Sequence, residues 1–177
     1  MLVKILFAGS GGQGVLTMGN ILGNAAMIED FHATYLPAYG AAVRGLLRST
    51  DLALGTEEEV RAAAGGLDDT TTAIAAIAGA GPRHLVVKRG ERGATVFGAD
   101  GSVAEAAPFP VTVMNVLGAG DAFASGLLYA WLQGWDLPRA ARFGNATGAI
   151  IVTRHACANA MPTLAEVETF VAERGGW

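Results

Sequence analysis

The chain has 177 residues, of which 51% are hydrophobic and 16% charged, and its formal net charge is −4. This length suits one domain with a substantial core. A negative charge without a basic cluster argues against nucleic-acid binding, and no apolar run approaches the roughly eighteen residues of a membrane span. The single cysteine, Cys157, excludes an internal disulfide and a multi-cysteine metal site. We therefore expect a cytoplasmic protein, apolar enough to bury parallel strands or to form a homo-oligomer.

The predicted elements alternate between strands and helices. Short apolar runs bounded by turn residues are typical of buried strands, and apolar residues at helical spacing are typical of amphipathic helices. The predicted strands are Val3–Ala8, His32–Leu36, Leu52–Leu54, Arg83–Lys88, and the hairpin of Ala94–Phe97 with Ser102–Ala106. The predicted helices are Val15–Ile28, Tyr39–Leu47, Glu57–Ala64, Thr70–Ala80, Gly120–Gln133, Asp136–Val152 and Leu164–Arg174. This alternation predicts a three-layer α/β/α sandwich with a mainly parallel, Rossmann-like sheet.

A glycine-rich turn between the first predicted strand and helix is a candidate phosphate loop. Its glycines are Gly9, Gly11, Gly12 and Gly14. Their spacing fits Gly-x-Gly-x-x-Gly, in which small residues let a pyrophosphate reach the helix N-terminus. The acidic residue that binds the ribose in such sites is expected about twenty positions later, where this chain has Tyr35, Leu36 and Pro37. The alternative is that the glycines serve only the tight turn.

A second small-residue turn, Gly118-Ala119-Gly120, is followed at once by Asp121 and an amphipathic helix. The first turn of a helix has N–H groups without intrahelical partners, and these together with the helix dipole suit a phosphate. Asp121 is the nearby side chain able to accept a proton from an attacking hydroxyl. The combination indicates phosphoryl transfer. A loop with an acidic helix start is the alternative for these residues taken alone.

Residues 51–177 resemble the C-terminal part of a PfkB-type, ribokinase-like carbohydrate kinase. The matching segments are Gly55–Val60, Val87–Ala94, Gly118–Asp121, Phe143–Ala146 and Thr153–Thr163. The form of the Asp121 turn and of the Thr153–Thr163 tail is most similar to the 5-dehydro-2-deoxygluconokinase branch of that family. The resemblance implies an ATP-dependent transfer of a phosphoryl group to a sugar hydroxyl, with Asp121 as base and the turn before it as anion hole.

The resemblance also implies which residues bind the nucleotide and its metal. Those implied at the phosphates are Lys88, Gly90 and Gly93, with Asn145 near the adenine. Glu58 or Glu59 would organise Mg²⁺ through water, as suits a hard ion held by few carboxylates. An acidic first helical turn is the alternative for both glutamates. The tail implies a loop that holds a monovalent cation.

Residues 1–45 are similar instead to the start of the gamma subunit of 2-oxoacid:ferredoxin oxidoreductases. The segments that carry this resemblance are Phe7–Thr17, Ala25–Met27 and Thr34–Gly45. Our hypothesis is therefore a fusion in one α/β domain, with an oxidoreductase-like segment at 1–45 and a kinase-like part at 46–177. The alternatives are an engineered chimera without selected activity and an oxidoreductase gamma-like fragment.

The sequence departs from the kinase pattern in three ways. Asn115 stands where many relatives have Asp, and Ala156 where glycine is common in the loop for the monovalent cation. Relatives also take their sugar-binding residues and their lid from an N-terminal part that the 1–45 segment does not supply. Because catalysis depends on holding both reactants together, we expect nucleotide binding to exceed turnover.

Overall fold

The structure is a computed structural model, and it describes residues 5–7, 47–155 and 158–177. Two compact units divide the chain: residues 1–87 with 98–100 form the first, and residues 88–97 with 101–177 form the second. The glycine-rich turn and the elements predicted between residues 8 and 46 lie outside the described residues. The prediction of a single domain stays a prediction.

The first unit contains three strands and two helices. The strands are β1 (Ile5–Phe7), β2 (Leu52–Thr56) and β3 (His84–Lys88), in the sheet order β1-β2-β3, and the helices are α1 (Glu57–Ala63) and α2 (Thr70–Gly79). Strands β1 and β2 are parallel, with Leu6 opposite Ala53. Leu85, Val86 and Val87 are consecutive and all buried, so both faces of β3 are covered, as in the central sheet of a layered α/β protein.

The second unit contains a β-hairpin and three helices. Strands β4 (Ala94–Phe97) and β5 (Val103–Ala106) are antiparallel, and the helices are α3 (Ala119–Leu132), α4 (Leu137–Val152) and α5 (Leu164–Ala172). Phe109, Phe143 and Val167 belong to the main buried cluster of this unit. A smaller cluster of Ala122, Ile151 and Val152 lies where α3 begins and α4 ends.

Side-chain caps explain where most of these helices begin. Thr56 and Thr163 start α1 and α5 with capping boxes, in which the threonine and the glutamate three residues later each bond the other's backbone N–H. Asp69 and Asp136 cap α2 and α4. Helix α3 begins differently, at Gly118, which has a φ of 83° and no side chain to act as a cap. The N–H groups of its first turn therefore have no capping side chain as acceptor.

The predicted elements within the described residues are confirmed, with small differences at their ends. The hairpin appears at β4 and β5, and the last three predicted helices appear as α3, α4 and α5. Two short 3₁₀ helices, Gly90–Arg92 and Ala158–Ala160, were not predicted, because three residues are too few to show a hydrophobic period. In the part of the chain that the structure describes, no helix is both long and apolar enough to cross a membrane.

Candidate functional site

The turn before α3 has the geometry of an anion site. Gly118 adopts the left-handed conformation that non-glycine residues rarely tolerate, and this redirects the chain into the helix. Ala119 N–H donates to Val116 O at 3.2 Å, while the N–H groups of Gly120 and Asp121 belong to the first turn, where no intrahelical acceptor precedes them. All four residues from Gly118 to Asp121 are partly exposed, so a ligand has access to them.

The segment before this turn is fixed by the end of α4. The carbonyl oxygen of Val152 accepts hydrogen bonds from the N–H groups of Met114 at 2.8 Å and Asn115 at 3.1 Å. The side chain of Asn115 in turn accepts from Leu117 N–H at 3.0 Å. Asn115 thus has a structural role, because its side-chain oxygen accepts a hydrogen bond within the turn. An aspartate could accept the same hydrogen bond.

Lys88 brings a positive charge to the turn. A Cβ placed on Gly120 would lie 3.3 Å from Lys88 Nζ, so the ammonium group lies directly over the glycine. Burial raises the pKa of the Asp121 carboxyl above its ordinary value, and the charge of Lys88 opposes that rise. A raised pKa brings a carboxylate closer to the working range of a general base. The structure therefore places Lys88, Gly120 and Asp121 together.

Replacing Lys88 with methionine is expected to raise the pKa of Asp121 further. The variant removes the positive charge that stabilises the carboxylate and leaves the burial that destabilises it. The measurement is a carbon-detected NMR titration of the Asp121 side chain in both proteins. Arg139→Met is the matched control, because the Arg139 guanidinium lies over the Trp135 ring. An unchanged or lowered pKa in Lys88→Met would contradict the described contact.

The two other glycines predicted at the phosphates differ in their surroundings. Gly90 is exposed, with a φ of 58° and no atom near an added Cβ. Gly93 is buried, and its carbonyl accepts from Arg89 N–H at 2.8 Å. A Cβ on Gly93 would overlap the carbonyl oxygen of Ala106. Gly93 is thus required by backbone packing, and its contact with a nucleotide stays a prediction.

Asn145, predicted near the adenine, is nearly buried on α4, with 9% of its surface exposed. Its Nδ2 donates to Ala106 O at 2.8 Å and to Ala107 O at 2.9 Å. Arg142 also donates to Ala107 O, at 2.9 Å. Asn145 therefore ties α4 to the end of β5, and any role toward adenine would be additional to this structural one.

Asn145→Asp is expected to destabilise the second unit by about 2 kcal/mol or more, since a buried carboxylate would replace a donor that faces two carbonyl oxygens. Asn145→Ala is expected to cost about 1–3 kcal/mol, because it leaves those carbonyls without their donor. Chemical denaturation followed by tryptophan fluorescence measures both. If Asp at this position is as stable as Asn, the described hydrogen bonds are not present in solution.

The predicted metal ligands lie in the first unit. Glu58 is exposed in the first turn of α1, and Glu59 Oε2 accepts from Thr56 N–H at 2.7 Å as part of the capping box. Glu59 thus has a structural role in the acidic first turn of α1. Its role toward Mg²⁺ stays a prediction. Among residues 47–155 and 158–177, no three His, Cys, Asp or Glu side chains form a metal cluster. Ala156 lies outside the described residues.

Several residues that support the turn were not singled out from the sequence. Thr147 is buried, and its hydroxyl lies 2.7 Å from Ala122 O and 2.8 Å from Gly144 O. A Cβ on Gly144 would lie 2.7 Å from Phe123 O, so α3 and α4 approach closely at this glycine. Glycines inside two predicted helices were the available signal for this contact, since glycine is otherwise unfavourable there.

Comparison with known proteins shows a family relationship. The sequence pattern described as "pfkB family carbohydrate kinase" matches residues 15–164. The 5-dehydro-2-deoxygluconokinase of Clostridium tetani is 36% identical over 132 residues, which are 72% of this chain and 39% of that protein. That of Geobacillus kaustophilus is 34% identical over 89 residues, or 50% of this chain and 27% of that protein. The chain spans less than half the length of these relatives.

Solved structures show the same similarity. The apo form of a putative ribokinase II from E. coli superposes with a TM-score of 0.68 at 27% identity, covering 87% of this chain and 46% of that one. The structure of a putative ribokinase II from E. coli in complex with ATP and Mg²⁺ also gives 0.68 at 27% identity, covering 86% and 46%. The ribokinase-like three-layer α/β/α fold predicted from the sequence is confirmed.

Proposed function

We propose, since the chain belongs to the pfkB family of carbohydrate kinases, that its second unit binds the phosphates of an adenine nucleotide and that Asp121 is the base for transfer to a sugar hydroxyl. The observation that carries the proposal is the position of Lys88 Nζ over Gly120, next to a partly buried Asp121. A cation and a bare helical N-terminus together favour a phosphate group. Asp121 adds the acceptor for the proton.

The chemistry assigns one task to each residue. As the sugar oxygen forms its bond to phosphorus, its proton passes to the Asp121 carboxylate, and the bond from phosphorus to the nucleoside diphosphate oxygen breaks. Lys88 and the N–H groups of Gly120 and Asp121 stabilise the negative charge of the transferred group. Mg²⁺, when bound, neutralises further phosphate charge.

The names of the relatives support a proposal for the acceptor. The kinases of C. tetani and G. kaustophilus are named for 5-dehydro-2-deoxygluconate, so we propose a sugar acid of that kind as the acceptor and the cytoplasm as the location. This chain spans 39% of the C. tetani protein. We therefore propose that it binds nucleotide by itself and turns over weakly or not at all, because both reactants must be held for transfer to be fast.

Isothermal titration with Mg-ATP tests the proposal. We expect one binding event per chain, weakened in Lys88→Met and retained in Arg139→Met, the matched removal of a positive charge outside the turn. Amide exchange should show protection of Gly120 on addition of the nucleotide. Absence of heat at millimolar Mg-ATP, together with unchanged exchange at Gly120 and Asn145, would refute the proposal.

The fusion hypothesis for residues 1–45 makes a separate structural prediction. It expects that segment to pair in the same sheet as β2, and β1 does pair with β2 in parallel. A kinase's own strand would pair there equally well, so this contact favours neither origin. The family match begins at residue 15 and continues across the predicted boundary between the oxidoreductase-like segment at 1–45 and the kinase-like part at 46–177. An oxidoreductase origin and an engineered chimera therefore stay hypotheses.

A further inference from the structure

Arg154, just beyond the end of α4, bridges two segments of the second unit. Its Nη1 donates to Ala160 O at 2.6 Å, and its Nη2 donates to Glu166 Oε1 at 2.5 Å. Its own N–H donates to Ile151 O at 3.0 Å. We refer to the contacts of Arg154 with Ala160 and Glu166 as the Arg154 bridge. It connects the end of α4 to the first turn of α5.

Glu166 is held in place by two sets of contacts. Its Oε2 accepts from Thr163 N–H at 2.7 Å and from the Thr163 hydroxyl at 2.9 Å, which leaves Oε1 for Arg154. The hydrogen bonds from Thr163, and then the contact with Arg154, lower the pKa of Glu166. Its carboxylate therefore stays ionised over the working pH range. The bridge pairs a full charge with a guanidinium, which makes it stronger than a neutral contact.

The bridge lies on a continuous path to the phosphate turn. Ala160 and Met161 pack against the cluster of Ala122, Ile151 and Val152, and Ala119 packs against the same cluster. Two residues before Arg154, Val152 O holds the N–H groups that precede the turn. The guanidinium thus holds a segment that packs against the same cluster as Ala119, and Arg154 follows by two residues the helix end whose carbonyl accepts from the segment before the turn.

We propose that Arg154 is a positioning residue for the phosphate turn Gly118–Asp121, although it does not contact the ligand itself. By holding Ala160 and Glu166 it keeps in one arrangement the α4 end and the small cluster against which Ala119 packs, so that the N–H groups of the turn are preorganised for an anion. The geometric part of this inference is independent of the ligand. Its consequence for nucleotide binding rests on the proposed function.

Amide hydrogen exchange in the protein without ligand tests the geometric part. In Arg154→Ala we expect exchange at Met114, Asn115 and Ala119 to accelerate about three- to tenfold, while the amides of β4 do not change. Arg174→Ala is the matched control, because Arg174 pairs with Glu173 beyond the end of α5. Unchanged exchange at the three amides, or an equal change in the control, would overturn the proposal.

Two further variants keep this test decisive if Arg154→Ala unfolds. Arg154→Lys replaces the two donating guanidinium nitrogens with a single ammonium group. We therefore expect amide exchange rates intermediate between those of the wild type and those of a protein without the bridge. Glu166→Gln keeps a side chain that can complete the capping box but removes the charge, and we expect a smaller acceleration at the same amides. Wild-type exchange in both folded variants would overturn the proposal.

Inorganic tripolyphosphate, which has phosphates but no base or sugar, tests the consequence. We expect Arg154→Ala to bind it about three- to tenfold more weakly than the wild type, with Arg174→Ala unchanged. Equal binding by wild type and Arg154→Ala would overturn the positioning role. If the wild type does not bind tripolyphosphate and Mg-ATP gives no heat on titration, the proposed function fails. The exchange experiment without ligand still decides whether Arg154 orders the turn.

Discussion

Asp121→Asn is expected to lower any sugar-phosphorylating turnover of this chain by about 10²–10⁴-fold, the usual contribution of a general base. Asparagine has nearly the same shape, so the turn and its N–H groups should stay as they are. Nucleotide affinity should not fall. It should rise slightly if the carboxylate repels the phosphates, since like charges at close range oppose binding.

Although Asp121→Asn is expected to lower turnover, it is not expected to lower the stability of the fold at neutral pH. Burial raises the pKa of Asp121 in the folded protein, so the fold favours the protonated carboxyl. That stabilisation is fully present below the unfolded-state pKa and is lost as the pH rises through the higher folded-state pKa. At neutral pH the ionised group therefore opposes folding. We expect Asp121→Asn to be at least as stable as the wild type at neutral pH, and to lose this advantage in acid.

Coupled-enzyme turnover, nucleotide titration and denaturation at two pH values measure these effects. Asp136→Asn is the matched control, since Asp136 is a helix N-cap whose Oδ1 accepts from Arg139 N–H at 2.9 Å and asparagine caps about as well. Retained turnover in Asp121→Asn would show that the activity has another origin. A large loss of nucleotide binding or stability would mean that Asp121 is a structural carboxylate.

Gly93→Ala is expected to destabilise the second unit by about 3 kcal/mol or more. Gly93 has a φ of 83° and a ψ of −133°, a region that costs other residues about 1–3 kcal/mol. The added methyl would also overlap Ala106 O and lie 3.0 Å from the nitrogen of Pro108. Both obstacles are backbone atoms, which cannot move aside as a side chain would. All three tryptophans lie in this unit, so fluorescence during denaturation reports its unfolding.

Gly101→Ala is the matched control for this prediction. Gly101 also has a positive φ, of 80°, but an added Cβ would meet nothing within 4 Å. It should therefore show only the conformational cost of about 1–2 kcal/mol. The difference between the two variants isolates the contact with Ala106 and Pro108. Equal destabilisation would mean that the backbone near Gly93 relaxes, and that its glycine reflects conformation alone.

The sequence predicted the elements of the described chain well because their signals are local. Apolar residues at helical spacing within one segment indicate each helix, and the structure then shows a side-chain cap at the start of α1, α2, α4 and α5. The hairpin follows from two short runs around Gly101. The pairing of β1 with β2 was less accessible, because it joins residues about 47 positions apart and depends on the whole fold.

The turn with Asp121 at the centre of the candidate site could be predicted from the sequence. The contacts made by residues distant in the chain could not. The small-residue turn and Asp121 form one contiguous motif, so the sequence shows them directly. Lys88 lies more than thirty residues before Asp121. Its place near the turn was predicted only because the segment Val87–Ala94 resembles a segment of the kinases. Asn145 shows why such transfer has limits, since its amide bonds Ala106 O and Ala107 O. Ala107 lies 38 residues before Asn145, and the sequence alone does not show that the two are hydrogen-bonded.

The close approach of α3 and α4 also constrains how this protein can diverge. A Cβ on Gly126 would lie 2.5 Å from the Thr147 hydroxyl and 2.8 Å from its methyl group. An alanine at position 126 would therefore collide with the Thr147 side chain, and it becomes acceptable only where residue 147 has first become smaller. Because Thr147 also bonds the α3 backbone, the smaller residue loses that contact. The pair should be inherited together, as one epistatic unit, through lineages that keep the phosphate turn.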